Sequence, residues 1–198
     1  MKTRHLLSGL LLCAALTLGG CQSALESSRT SDGNSYWTQM RAKLTTITNL
    51  HVQGRLGLVG RQTRGSASFD YESKGDDFVL DLATTFGSGI AVINSSGGKA
   101  WTTTSGKLVE ADSADELLRD LYGIDIPAAE LKQAFLGLPV GEYQLDAQGR
   151  LQHSRLGRYT ISYTDFKEFN GYALPVNMTI SNSQEDIKVK INKVLDVQ

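Results

Sequence analysis

Between Leu50 and Leu82 apolar and polar residues alternate. Leu50, Val52, Leu56 and Leu58 share one side of a period of two; Ala67, Phe69 and Tyr71 alternate with Ser66, Ser68 and Asp70; Phe78, Leu80 and Leu82 alternate with Asp77, Val79 and Asp81. Such alternation puts one face of a strand in a core and the other in water, so the region predicts three successive antiparallel strands. Gly54 and Gly57 thin the first of them, as a bulge or a close approach requires. After a turn at Thr84 to Gly89, the segments GIAVINS, KAWTTT and GKLVEA, parted by Gly-Gly and Ser-Gly, predict short hairpin strands.

Elsewhere the period lengthens to that of a helix. Trp37, Met40, Leu44 and Ile47 form one stripe near the N-terminus. Ser113 with Glu116 three residues on predicts a capping box, followed by a stripe of Leu117, Leu118, Leu121 and Tyr122 that Gly123 ends. Pro127 opens a further helix with Leu131, Phe135 and Leu138 as its stripe, stopped at Gly137-Leu138-Pro139. The remainder, from GEYQLD to EDIKVKINKVL, returns to strands, with Ile187, Val189 and Ile191 alternating against Lys188, Lys190 and Asn192. About eleven strands and three helices result, mainly β with α. A one-faced antiparallel sheet of that size curls and needs its inner face covered, and the helices are the cover.

The first twenty residues change the picture of where this domain works. Lys2 and Arg4 precede the apolar run LLSGLLLCAALTLGG, too short for a permanent span, which predicts an export signal over residues 1–20. Leu18-Gly19-Gly20-Cys21 is similar to the bacterial lipobox, whose cysteine becomes acylated. Cys13 lies in the discarded run, leaving Cys21 alone, and a lone exported cysteine is either paired between chains or modified. Cys21 is thus expected to be a lipid anchor, holding the protein on a membrane without spanning it. Gln22, where an Asp would signal inner-membrane retention, points by that sorting rule to the outer membrane. Residues 21–34, Ser-rich and polar, read as a flexible tether, and residues 35–198 as one domain. Loss of Lys2 and Arg4 leaves 18 basic against 21 acidic residues, a formal charge of −3, with no basic footprint for nucleic acid.

Candidate chemistry is sparse. The mature chain holds His51 and His153, both in strands, with no Gly-x-Ser-x-Gly elbow, no His-x-x-x-His pair and no second cysteine. The glycines of GSGIAVINSSGG lack the lysine and serine spacing of a phosphate loop. Asp76, Asp77, Asp112, Asp115 and Asp120 read as solvated turns and a helix start rather than a calcium site. The chain is therefore expected to be neither an enzyme nor a metal protein, and to carry no cofactor. What remains is apolar surface: Leu56, Leu58, Phe69, Tyr71, Phe78 and Leu80 on the sheet, and Trp37, Met40, Leu44, Leu118, Leu121 and Phe135 on the helices. Singly each reads as core; under a thin lid they are candidates to line a cleft. Phe86, between Thr84-Thr85 and Gly87-Ser88-Gly89, sits in a turn, where it either folds back on the core or, beside a membrane, meets lipid.

Over Leu121 to Pro139, LYGIDIPAAELKQAFLGLP resembles the LolB family of outer-membrane lipoprotein receptors. Ile126-Pro127 opening a helix and Leu136-Gly137-Leu138-Pro139 closing it match in place. The lipobox, the Trp37 helix, the turn at Thr84 to Gly89 and the C-terminal Lys/Ile alternation agree along nearly the whole chain. The resemblance implies an incomplete antiparallel β-barrel lidded by helices and enclosing an apolar cavity for the acyl chains of a client lipoprotein. It also implies a soluble periplasmic carrier that delivers the client, and insertion into the inner leaflet of the outer membrane by a monomeric receptor facing the periplasm. Phe86 then occupies the place of the family's protruding apolar residue, where other members are expected to have leucine. The alternative from the residues alone is a scaffolding envelope lipoprotein with a filled core.

Overall fold

The computed structural model describes residues 34–60, 64–84, 86–123, 126–183 and 185–198. The expected signal, Cys21 and the tether up to residue 33 lie outside the described residues, as does Thr85.

Among the described residues eleven strands form one antiparallel sheet: β1 Asn49–Gly60, β2 Arg64–Lys74, β3 Asp77–Thr84, β4 Gly89–Ser96, β5 Lys99–Thr104, β6 Lys107–Ala111, β7 Tyr143–Leu145, β8 Leu151–Leu156, β9 Tyr159–Phe169, β10 Tyr172–Ser181 and β11 Glu185–Val197. Their order is β6-β5-β4-β3-β2-β1-β11-β10-β9-β8-β7. Two meanders, one from each half of the chain, are joined by pairing the first strand with the last. The predicted alternation is realised in full on β3, where Phe78, Leu80 and Leu82 are buried and Asp77, Val79 and Asp81 exposed.

This topology dictates the lid. β6 and β7 are the two free edges, and the segment joining them must cross from one edge to the other. It carries α2 (Ala114–Tyr122), a 3-10 turn (Ala128–Glu130) and α3 (Leu131–Leu136). The sheet is thus an open barrel with helices over its concave face, as expected, and α1 (residues 34–44) adds Trp37 and Leu44 to the same core. Ser113 caps α2 by accepting from the Glu116 amide at 3.2 Å, and the Glu116 side chain accepts from the Asp112 amide at 3.2 Å, a capping box displaced by one residue. Gly123, with φ of 66°, ends α2. The helix predicted after Pro127 is shorter than its apolar stripe. Gly137 turns left-handed at φ of 71°, so Leu138 packs into the core from beyond the helix end.

Curvature has a local cause. β1 shifts register against β11 at His51/Val52 and at Gln53/Gly54, and β10 shifts against β9 on either side of Asn177, next to Pro175. Bulges of this kind bend a strand and sharpen its twist. At the second shift Gly54 is obligatory: a Cβ there would meet the Lys190 carbonyl oxygen and come within 2.6 Å of the Phe69 ring.

Candidate functional site

Between the sheet and the helices lies a cavity of about 80 Å³ whose lining is wholly apolar. Its floor is Leu56 and Leu58 of β1, Phe69 of β2, Leu80 and Leu82 of β3, and Ile180, Ile187 and Val189 from β10 and β11. Its roof is Leu118 of α2, Ile126, and Leu131 and Phe135 of α3. The ladder register sets it towards one end of the sheet: Leu58 pairs with Ile187, which also pairs with Ile180, all near strand ends, and Phe69 at the middle of β2 pairs with Leu82 near the end of β3. Towards the opposite end, Leu50, Val52, Tyr71 and Phe78 form solid core. Phe135 divides the two regions, stacked on Phe69 at 5.5 Å and edge-on to Tyr71 at 5.2 Å.

Of the twelve cleft candidates, Leu56, Leu58, Phe69, Leu80, Leu118 and Phe135 come together around this cavity. Trp37, Leu44, Tyr71 and Phe78 are buried in the core away from it, and Met40 packs against that core half-buried. Trp37 stands against Tyr143, its Nε1 donating to the Tyr143 hydroxyl at 3.4 Å. Leu121 faces out on α2, 40 % exposed. Alternation placed Ile187 and Val189 on a buried face, yet they joined the site only through the β1–β11 pairing, which no local pattern announces.

The lid is fastened by polar contacts. The Ala128 amide donates to Asp115 Oδ1 at 2.7 Å, tying the 3-10 turn to α2. Lys132 Nζ donates to the carbonyls of Thr48 and Gly75 at 2.8 and 2.9 Å, pinning α3 to the β2–β3 turn at the solid-core end. Burial lowers the Lys132 ammonium pKa, against the raising influence of Asp76. At the cavity end the roof residues named above are apolar and meet an apolar floor. Lys132 thus fixes α3 to the sheet by polar bonds, while Leu131 and Phe135 on either side of it seat the helix by apolar contact.

Phe86 stands at the β3–β4 turn, 97 % exposed. It does not fold back on the core. The turn closes beneath it, with the Thr84 amide donating to the Ser88 carbonyl at 2.8 Å and the Ser88 amide to Thr84 Oγ1 at 3.1 Å. The two histidines lie elsewhere: His51 meets Asp70 at 2.7 Å and His153 meets Ser162 at 3.1 Å, both on the sheet.

The site is thus an apolar cavity held between a curled antiparallel sheet and its helical lid. A solved structure of a LolA superfamily protein from Nitrosomonas europaea shares the fold, with a TM-score of 0.56 at 12 % identity over 82 % of this chain and 92 % of that one. The family model described as "Outer membrane lipoprotein LolB" matches residues 48–193, and the chain belongs to that family. Relatives named outer-membrane lipoprotein LolB include one from Aeromonas hydrophila subsp. hydrophila, 29 % identical over 79 % of this chain and 82 % of the relative. Another, from Tolumonas auensis, is 24 % identical over 92 % and 93 %. The protein is thereby an outer-membrane lipoprotein of the lipoprotein-localisation pathway.

Proposed function

We propose that this protein is a non-enzymatic receptor, anchored through Cys21, that accepts lipoproteins from a soluble periplasmic carrier, shelters their acyl chains beneath its lid and passes them into the outer membrane. The observation that carries this reading is the cavity, lined by apolar side chains from both sheet and helices. Each acyl CH₂ exposed to water costs ~0.8 kcal/mol, so a client crosses the periplasm only if its chains are covered. Transfer then needs a descending order of affinities from carrier to receptor to bilayer, with no nucleotide or metal.

At about 80 Å³ the cavity is smaller than the ~150 Å³ that admits a benzene ring. An acyl chain enters only as the lid lifts. Phe86 lies on the strand-end side where the cavity sits, so chains leaving the cavity meet the tip that touches lipid. Phe86→Glu tests this. With the ring almost fully exposed, the substitution should leave stability within about 0.5 kcal/mol and leave transfer from carrier to receptor intact, while client no longer moves from receptor to vesicles. Undiminished delivery to vesicles would overturn the role given to Phe86; a carrier that gives up no client to the folded receptor would overturn the whole reading in favour of a scaffold with a filled core.

A further inference from the structure

Phe86 does not stand alone at its end of the sheet. In the meander from β1 to β6, the β1–β2, β3–β4 and β5–β6 connections all fall at one end and the β2–β3 and β4–β5 turns at the other. Among the described residues, the large exposed apolar residues in a connection or one position from it stand at the first end: Val59 at the end of β1 (42 % exposed), Phe86 and Ile90 around the β3–β4 turn (97 and 42 %) and Leu108 at the start of β6 (61 %), while exposed Val79 lies two residues inside β3 from the other end. Val59, Ile90 and Leu108 point away from the helices, since their neighbours Leu58, Ala91 and Val109 lie on the lidded face. The turns at the other end read Lys74-Gly75-Asp76-Asp77 and Ser96-Gly97-Gly98-Lys99, with no apolar side chain.

The two ends also differ in charge balance. Arg64, paired with Val59 across the ladder, and Lys107, next to Leu108, are both exposed at the apolar end. Asp186, which also pairs with Val59, and Glu185, which pairs with Gly60, are the acids on that stretch of β11. At the opposite end Lys74 and Lys99 are offset by Asp76 and Asp77. Apolar tips flanked by cations fit a bilayer interface with anionic headgroups, where the rings and aliphatic chains enter and the cations stay at headgroup level.

Resting on the receptor reading above, we infer that the protein seats on anionic lipid through a rim of adjacent hairpin tips, with Leu108 and Lys107 of the β5–β6 hairpin and Val59 and Arg64 of the first hairpin flanking Phe86. A single protruding residue can touch a membrane but leaves the domain free to tilt about it. Contact on both sides of Phe86 fixes the tilt, and with it the direction in which the cavity end faces the bilayer.

The test places a lipid-sensitive fluorophore on the full acylated chain, reconstituted in vesicles of phosphatidylethanolamine and phosphatidylglycerol that carry a quencher on their acyl chains. Three single labels are compared: Ser105→Cys on the β5–β6 turn, Ser88→Cys beside Phe86, and Ser96→Cys at the opposite end. The rim predicts strong quenching at Ser105 and Ser88 and none at Ser96. It also predicts that Leu108→Asn weakens the Ser105 signal, and that Arg64→Gln with Lys107→Gln lowers the seated population about fivefold per cation on anionic vesicles but leaves phosphatidylcholine vesicles unaffected. Quenching at Ser88 without Ser105 overturns the rim and leaves the Phe86 reading standing. Quenching at neither overturns both, and equal quenching at Ser96 shows an unoriented domain and overturns the rim. A Ser105 signal indifferent to both cations, or following them equally onto a protein partner without lipid, overturns the assignment of a lipid surface.

Discussion

Gly54 shows how one residue fixes the shape of the cradle. Its missing side chain lets the Phe69 ring pass beneath β1, and that ring then stacks on Phe135 and forms part of the cavity wall. Gly54→Ala should destabilise the protein by about 1–3 kcal/mol or more, as overpacking does, because one of the two clashes is with backbone and has no way to relax. Trimming the ring with Phe69→Leu should rescue only part of the loss. Chemical denaturation of the single and double variants checks this, and full rescue would show the backbone clash to be unimportant. The alternating strand marked both Gly54 and Gly57 as places of bulge or close approach; Gly54 is one, whereas a Cβ at Gly57 would meet open space. The alternation could not tell which ring approaches Gly54. Phe86 was legible as a turn residue from Gly87-Ser88-Gly89, but whether the ring turned inward or outward depended on the shape of the sheet beneath it.

At the scale of elements, the helices were read from caps and stripes, and those signals are local enough to survive folding. Ser113, Glu116 and Gly123 perform the tasks their spacing predicts. The stripe Leu131, Phe135, Leu138 overstated α3, because apolar spacing continues past the left-handed Gly137 even though the helix does not. Asp115, expected to be a solvated helix-start acid, also accepts a bond from the next segment, and its charge acts on Glu130 at the end of the 3-10 turn. Burial first, and Asp115 second, hold the Glu130 carboxyl above its ordinary range, and its Oε2 is covered without a partner among the described residues. A carboxyl raised in the folded state favours folding at low pH, and that advantage is lost as pH climbs from about 4.3, the unfolded value, through the folded one. Glu130→Gln should therefore fold more stably than the parent at pH 7, with the gap closing as pH falls below about 4. Denaturation midpoints at the two pH values measure it; a gap of equal size at both would place the effect outside ionisation.

For the whole molecule, alternation and turn residues disclosed an antiparallel sheet with a helical cover, but the pairing of β1 with β11 joins residues nearly the full chain apart and leaves no local trace. That pairing closes the cradle and brings Ile180, Ile187 and Val189 to the cavity, which explains why six cleft candidates converged there while others became core or, like Leu121, surface. It also leaves β6 and β7 as edges, so the lid is a consequence of topology rather than an addition to it. In the proposed function, acyl chains occupy the space between sheet and lid. Phe135 replaced by the photo-crosslinking analogue p-benzoylphenylalanine, which keeps an aromatic ring at the cavity wall, tests it during delivery of a client from the carrier. A crosslink is expected between position 135 and the client's acyl chains, absent when the same analogue replaces Val79 on the outer face. Crosslinks confined to the protein itself, or acyl labelling equal at the two positions, would contradict it.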